Sequence, residues 1–328
     1  MERYHLDPDS IGVVGAGTMG HGIAAAFLCE GYHVSIHDIE EEMLEQARQG
    51  IDSILGLFVN EGMIDEAVAS EAEDRIQYST DLEQVVADTD LVVEAVSEDM
   101  EVKRAVFEDI NRYAPAEAVL ASNTSGLSIT EIASVTDRPE RVVGAHWFNP
   151  PHIVPLVEVI KGERTDDDIA EGVAEFLERI GKTAVVVNKD VPGYIGNRIQ
   201  MAMCYEAFSL LERGVASAED IDKAVQAGFG FRLPSMGIFE KVDQSGLDVH
   251  HAVEEYLMPD LDRGTDPNPV VTRLVEEGDL GLKTGRGVYD WEGSDPTEVE
   301  GKRDEELLEL LRVYESGLTD PGPGRDEE

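Results

Sequence analysis

The feature that most constrains this chain lies within its first 31 residues. The apolar run Ile11-Gly12-Val13-Val14 leads directly into Gly15-Ala16-Gly17-Thr18-Met19-Gly20, and an alanine-rich stretch from Gly22 to Glu30 follows, closed by Gly31. A buried strand, a glycine turn and a helix in that order form the first half of a parallel βαβ unit, which commits the region to an α/β architecture. Each glycine has its own reason: Gly15 permits the tight turn, Gly17 lets backbone approach a pyrophosphate, and Gly20 allows the helix to pack closely on the strand. The helix N-terminus that follows the turn, in which Met19 also lies, then presents unpaired N–H groups to phosphate. A second strand, His33-Val34-Ser35-Ile36-His37, ends at Asp38, 18 residues after Gly20. A carboxylate there accepts hydrogen bonds from adenosine ribose hydroxyls. Asp38 and Glu40 would repel a 2′-phosphate and no nearby arginine could pair with one, so the pattern favours NAD over NADP.

The same texture continues for about half the chain. Helical stretches are expected near 40–61 and 65–73, then strand at Leu91-Val92-Val93, helix from Lys103 to Ala114, and strand at Val119-Leu120-Ala121. Ser128-Ile129-Thr130-Glu131 has the spacing of a capping box. Strands follow at Val142–Ala145 and Leu156–Ile160, a helix opened by Asp166-Asp167-Asp168, and a last strand at Ala184–Val187. Beyond Asn188 only helical patterns persist. The expected fold is therefore α/β: a Rossmann-type doubly wound sheet over residues 1–188, followed by an all-α C-terminal domain over 189–328. The acidic tail from Leu318, with its proline and glycine, is expected to fray.

Charge narrows the partners. The 328 residues carry 26 Lys plus Arg against 69 Asp plus Glu, a net charge of −43, with 42% hydrophobic residues. Nucleic-acid backbones and anionic membrane surfaces are bound through clustered Lys and Arg, so neither is an expected partner. Acid spread along a chain that keeps its core pattern suits a halophile's cytoplasm, where concentrated salt screens self-repulsion. No secretory leader is expected at the start and no run of the roughly 20 apolar residues needed to span a membrane occurs. Cys29 and Cys204 stand apart, and the histidines lack metal-ligand spacing, so neither a disulfide nor a metal site is expected.

A second cluster carries the chemistry. It comprises Ser122-Asn123-Thr124-Ser125-Gly126, His146-Trp147-Phe148-Asn149-Pro150-Pro151, Leu156-Val157-Glu158, and Pro192-Gly193-Tyr194-Ile195-Gly196-Asn197-Arg198. Imidazole, with an unperturbed pKa of about 6.5, suits proton abstraction from a secondary alcohol near neutrality. A carboxylate on its other nitrogen would fix the tautomer and stabilise the imidazolium. Taken alone, His146 reads more readily as a structural histidine, and Glu158 equally as an outward-pointing residue of a half-buried strand.

Together with the glycine turn, these ordered motifs resemble the L-3-hydroxyacyl-CoA dehydrogenase family, from about Ile11 to the Lys283-Thr284-Gly285-Arg286-Gly287-Val288-Tyr289 segment. The resemblance implies that His146 is the general base, that Glu158 pairs with it, and that Ser125 and Asn197 contact substrate. It also implies cofactor contacts from Glu98, Lys103, Asn149 and Lys283, and a homodimer built on the helical domain. The reaction implied is oxidation of the 3-hydroxyl of a short-chain L-3-hydroxyacyl-CoA such as 3-hydroxybutyryl-CoA, a step of fatty-acid β-oxidation. Arg198 and Arg232 are candidates to meet an anionic substrate.

Three departures bear on substrate. Ile51 to Glu73 contains no Lys or Arg, and Glu61 stands where the family pattern would put a lysine that meets coenzyme A phosphates. The Pro150-Pro151-His152-Ile153-Val154-Pro155-Leu156 segment is similar to the lambda-crystallin (L-gulonate) and carnitine dehydrogenase branch, and Gly126 follows Ser125 where the family often has serine. A free small 3-hydroxy acid is thus the alternative substrate class. A non-catalytic NAD-binding protein is a remoter alternative, against which the intact His146 and Glu158 pair argues.

Overall fold

The computed structural model describes residues 4–318, and the expected tail from Leu318 onward lies almost wholly outside them. The chain divides into two compact units, one ending at Arg198 and the other beginning at Ile199.

The first unit is built on one eight-stranded sheet: β1 (Ser10–Val14), β2 (His33–His37), β3 (Ile76–Ser79), β4 (Leu91–Glu94), β5 (Val119–Ser122), β6 (Val142–Trp147), β7 (Leu156–Lys161) and β8 (Thr183–Val187). Its order is β3-β2-β1-β4-β5-β6-β7-β8. The first six strands follow the doubly wound order, whose reversal between β1 and β4 opens a crevice outside the strands' carboxyl ends. All pairs are parallel except β6 with β7. Strands covered on both faces are buried along their length, as at β4, β5 and β6.

Helix α1 (Thr18–Cys29) starts four residues before the alanine-rich stretch suggested, because Gly17 itself is its N-cap. Helices α2 (Glu41–Asn60) and α3 (Glu66–Asp74) follow β2 as the acidic pattern indicated. β3 and the short α4 (Leu82–Val86) had no strong sequence signal. β3 is a half-buried edge strand whose Gln77 is exposed, and such strands lack the continuous apolar run that marks a central one. α5 (Met100–Tyr113) is capped by Asp99, whose carboxylate accepts from Glu101 N and Val102 N. α6 (Ile129–Ala133) is capped by Ser128, and α7 (Asp167–Arg179) by Asp166.

The second unit is helical: α8 (Gly196–Glu212, beginning just before the division), α9 (Ala218–Ala227), α10 (Ile238–Ser245), α11 (Leu247–Leu257), α12 (Pro269–Glu277) and α13 (Pro296–Val313). Among its described residues only Ser209, Asn268 and Leu308 are fully buried, while Met201, Phe231, Phe239 and Tyr256 are among its exposed apolar side chains. No helix among the described residues is long and apolar enough to cross a membrane.

The change of texture in the sequence puts the division near Asn188 to Pro192. The stretch from Asp190 to Arg198 instead stays with the first unit, because its hydrogen bonds run back there. Asp190 accepts from Ser128 Oγ and Thr130 N, and Asn197 Nδ2 donates to Ser125 O.

Candidate active site

The glycine turn behaves as its residues require. Gly15 has φ 105°, and a Cβ there would lie 2.6 Å from Ala95 O. A Cβ on Gly20 would lie 1.8 Å from Gly15 O, whereas one on Gly17 would meet nothing within 4 Å. Gly15 and Gly20 are therefore glycine for internal packing, and Gly17 leaves open space at the head of α1 where a pyrophosphate fits. Asp38 Oδ2 accepts from Ala16 N at 2.9 Å and Oδ1 from Glu40 N at 3.2 Å, which fixes the carboxylate beside the turn. Met19 is half-buried, and the neighbouring Ile39 is 81% exposed, an apolar surface beside Asp38.

Next to this turn, at the ends of β4 and β5, lies a buried polar cluster. Glu94 is 0% exposed and Lys103 1%. Glu94 Oε1 accepts from Lys103 Nζ at 2.7 Å and from Val96 N at 2.7 Å, and Oε2 accepts from Ser122 Oγ at 2.6 Å. Lys103 Nζ also reaches Val96 O at 3.3 Å and Glu98 Oε2 at 3.4 Å. Glu98 Oε1 accepts from Thr124 Oγ1 at 2.6 Å and Ser125 N at 2.8 Å. Lys103 is thus enclosed beneath the exposed Glu98 and braces it. Neither Glu94 nor Thr124 has an assigned role in the sequence pattern. The available signal was a carboxylate ending the apolar run Leu91-Val92-Val93, with a lysine nine residues on.

The antiparallel pairing of β6 with β7 creates the second part of the site. Its register sets His146 directly opposite Glu158. Directly opposed residues point to the same face of a sheet with their Cβ atoms about 4.5–5.5 Å apart, so the twelve-residue spacing becomes a contact. His146 Nδ1 lies 2.8 Å from Glu158 Oε2, and both side chains are buried. Glu158 Oε1 accepts from Ile195 N and Gly196 N, each at 2.9 Å. Burial opposes the Glu158 charge, but the His146 hydrogen bond and the two amides outweigh it, and its carboxyl is held below the ordinary glutamate range. An ionised Glu158 places the imidazole proton on Nδ1 and leaves Nε2 with the lone pair. The Phe148 ring packs 4.4 Å from the His146 ring, centroid to centroid.

Asn123 ties the two parts together, since its Oδ1 accepts from Trp147 N at 2.8 Å. Ser125 is exposed, and its carbonyl accepts from Asn197 Nδ2 at 2.9 Å. Asn149 is exposed beyond β6 and precedes a cis Pro150. The first unit therefore brings together His146, Glu158, Ser125 and Asn197, with Glu98 and Lys103 between them and the glycine turn. Lys283 belongs to the second unit, in the 3-10 turn Leu282–Thr284.

Comparison with known proteins identifies the family. Residues 10–191 match the NAD-binding domain of 3-hydroxyacyl-CoA dehydrogenase, and residues 193–291 match the C-terminal domain of the same family. The chain is 39% identical over 287 residues to 3-hydroxybutyryl-CoA dehydrogenase of Bradyrhizobium diazoefficiens, covering 87% of this chain and 96% of that one. It is 33% identical over 309 residues to 5-formyl-3-hydroxy-2-methylpyridine 4-carboxylate 5-dehydrogenase of Mesorhizobium japonicum, covering 93% and 98%. The crystal structure of a dehydrogenase of that second kind superposes with a TM-score of 0.88 at 32% identity, over 94% of this chain and 98% of the other. The (S)-3-hydroxybutyryl-CoA dehydrogenase of Ralstonia eutropha gives a TM-score of 0.72 at 35% identity, over 87% and 99%. With both domain models matched in order and a nucleotide turn that fits NAD, this chain belongs to the NAD-dependent 3-hydroxyacyl-CoA dehydrogenase family.

Proposed function

We propose that the protein oxidises the 3-hydroxyl of a short-chain L-3-hydroxyacyl-CoA to the 3-oxo compound, with His146 as general base. The observation that carries this is the buried His146–Glu158 pair at 2.8 Å. Oxidation of a secondary alcohol breaks a C–H and an O–H bond. Bound NAD supplies the acceptor for the hydride that leaves the carbinol carbon. His146 Nε2 takes the hydroxyl proton, and the Glu158 carboxylate stabilises the imidazolium that results. Ser125 and Asn197 hold the substrate oxygens, which is positioning work. Gly17 and Met19 at the head of α1 and Asp38 hold the nucleotide in the turn that Gly15 and Gly20 shape, with Glu98 and Asn149 as further contacts and Lys103 acting from beneath Glu98.

A second reading keeps hydride transfer to NAD and proton transfer to His146 but changes the substrate to a free small carboxylate, either a 3-hydroxy acid or an aldehyde that reacts as its hydrate, losing the hydride from carbon and the proton from one hydroxyl to give a carboxylic acid. Two observations favour it: Ile51 to Glu73 offers no cation to coenzyme A phosphates, and the Mesorhizobium relative, named for a pyridine carboxylate, covers more of this chain than the butyryl-CoA enzyme does. Assays of NADH formation in molar KCl separate the two. The substrates are 3-hydroxybutyryl-CoA, free 3-hydroxybutyrate, L-gulonate, carnitine and 5-formyl-3-hydroxy-2-methylpyridine 4-carboxylate. Absence of turnover with the thioester overturns the first reading. His146→Gln should lower turnover by about 10²–10⁴-fold with NAD affinity nearly unchanged, and full turnover would remove His146 from its role.

A homodimer in a salt-rich cytoplasm completes the proposal. The exposed apolar side chains of the second unit, Phe239 at 85% among them, support burial against a second copy. Two free thiols and a net charge of −43 fit a reducing, saline compartment.

A further inference from the structure

Tyr194 is the one non-glycine residue with positive φ among the described residues, at 49°, and it follows Gly193 at 74°. A bulky side chain in the left-handed region is a backbone outlier that persists only where its surroundings hold it. Two consecutive left-handed residues turn the next two N–H groups the same way, and here both converge on Glu158 Oε1. Glycine at 194 would adopt this φ without strain, so the tyrosine side chain needs its own explanation.

That side chain is 1% exposed. Its ring lies 5.7 Å from the His146 ring, and its hydroxyl donates to Leu127 O at 2.7 Å. Leu127 belongs to the loop that carries Ser125. The two loops also meet backbone to backbone, since a Cβ on Gly126 would lie 3.0 Å from Gly193 N. The phenol therefore locks the left-handed turn against the Ser125 loop and against the imidazole face together.

We infer that Tyr194 is a positioning residue for the reaction: by holding the 193–196 turn it fixes Glu158, and through Glu158 the orientation of His146. This rests on the reading of His146 as general base. Glu158 is then oriented from both oxygens, by His146 on one and by the turn on the other.

The test is a double-mutant cycle with steady-state kinetics on the full-length enzyme. The variants are Tyr194→Ala, Tyr194→Phe, Glu158→Gln and the double variant Y194A/E158Q. Tyr194→Ala should lower kcat by about 10–10²-fold, the scale set by misplacing a reacting group by about an ångström, with KM for NAD within about twofold. Tyr194→Phe keeps ring and turn and should recover most of that loss. In the Glu158→Gln background, Tyr194→Ala should add less than about twofold, because residues that act through one another are not additive. A kcat unchanged by Tyr194→Ala overturns the inference, as does an alanine effect that multiplies in full with Glu158→Gln, or one that raises KM for NAD in step. Tyr194→Leu, which retains apolar bulk, takes the alanine's place if that variant does not fold. His146→Gln run alongside keeps the two readings apart. Full turnover there refutes the base reading, whereas loss of turnover with an inert Tyr194→Ala refutes only the positioning role.

Discussion

Replacing Lys103 by methionine removes the ammonium but keeps the volume of the stem, and the structure sets the cost. Lys103 and Glu94 are 1% and 0% exposed, with Nζ 2.7 Å from Oε1. Without the cation, Glu94 keeps Ser122 Oγ and Val96 N as donors but becomes a buried, unpaired charge. Breaking one side of such a pair costs about 3–5 kcal/mol, and the two surviving donors put this case at the lower end. For a domain of this size each kcal/mol is worth about 2–4 °C, so the first unit should melt about 6–12 °C lower. Differential scanning calorimetry in molar KCl is the assay, because salt screens surface pairs such as Lys223–Glu219 and leaves a buried pair nearly intact. The double variant E94Q/K103M removes both charges and should recover most of the loss. Two results would refute the reasoning: a single variant that melts within about 2 °C of the parent, or a double variant that melts as low as the single one.

Two further outcomes follow from the same geometry. Asp38→Ala removes a charged acceptor beside the glycine turn and should raise KM for NAD by about 10–100-fold, from about 1.5–3 kcal/mol for a hydrogen bond to a charged group, while narrowing the preference for NAD over NADP. An unchanged ratio of the two cofactors would count against Asp38 as the ribose acceptor. Because the Glu158 carboxyl is held below its ordinary value, its stabilising contribution is complete above the usual glutamate pKa and is lost as pH falls through the depressed folded value. Melting temperature measured on acidification should therefore fall more steeply for the parent than for Glu158→Gln, and equal slopes would show that Glu158 gains nothing by ionising in the folded protein.

What could be read from the chain alone is what depends on neighbours in sequence. The Gly15–Gly20 turn, the Asp38 carboxylate beside it and the caps at Asp166 and Ser128 involve residues close along the backbone or at family spacing, and these elements stand where the sequence placed them. Apolar runs marked the central strands because those are buried on both faces, and the half-buried edge strand β3 escaped notice for lack of one. Tertiary structure alone decided the rest. The antiparallel register that turns a spacing of twelve into the His146–Glu158 contact depends on how two strands pair across the sheet. The burial of Lys103 under Glu98, and the two amides that Tyr194 aims at Glu158, depend on loops converging from distant strands. Local preference is a property of a few adjacent residues, whereas charge placement in a dry interior is set by which chain ends meet, and only the folded sheet specifies that.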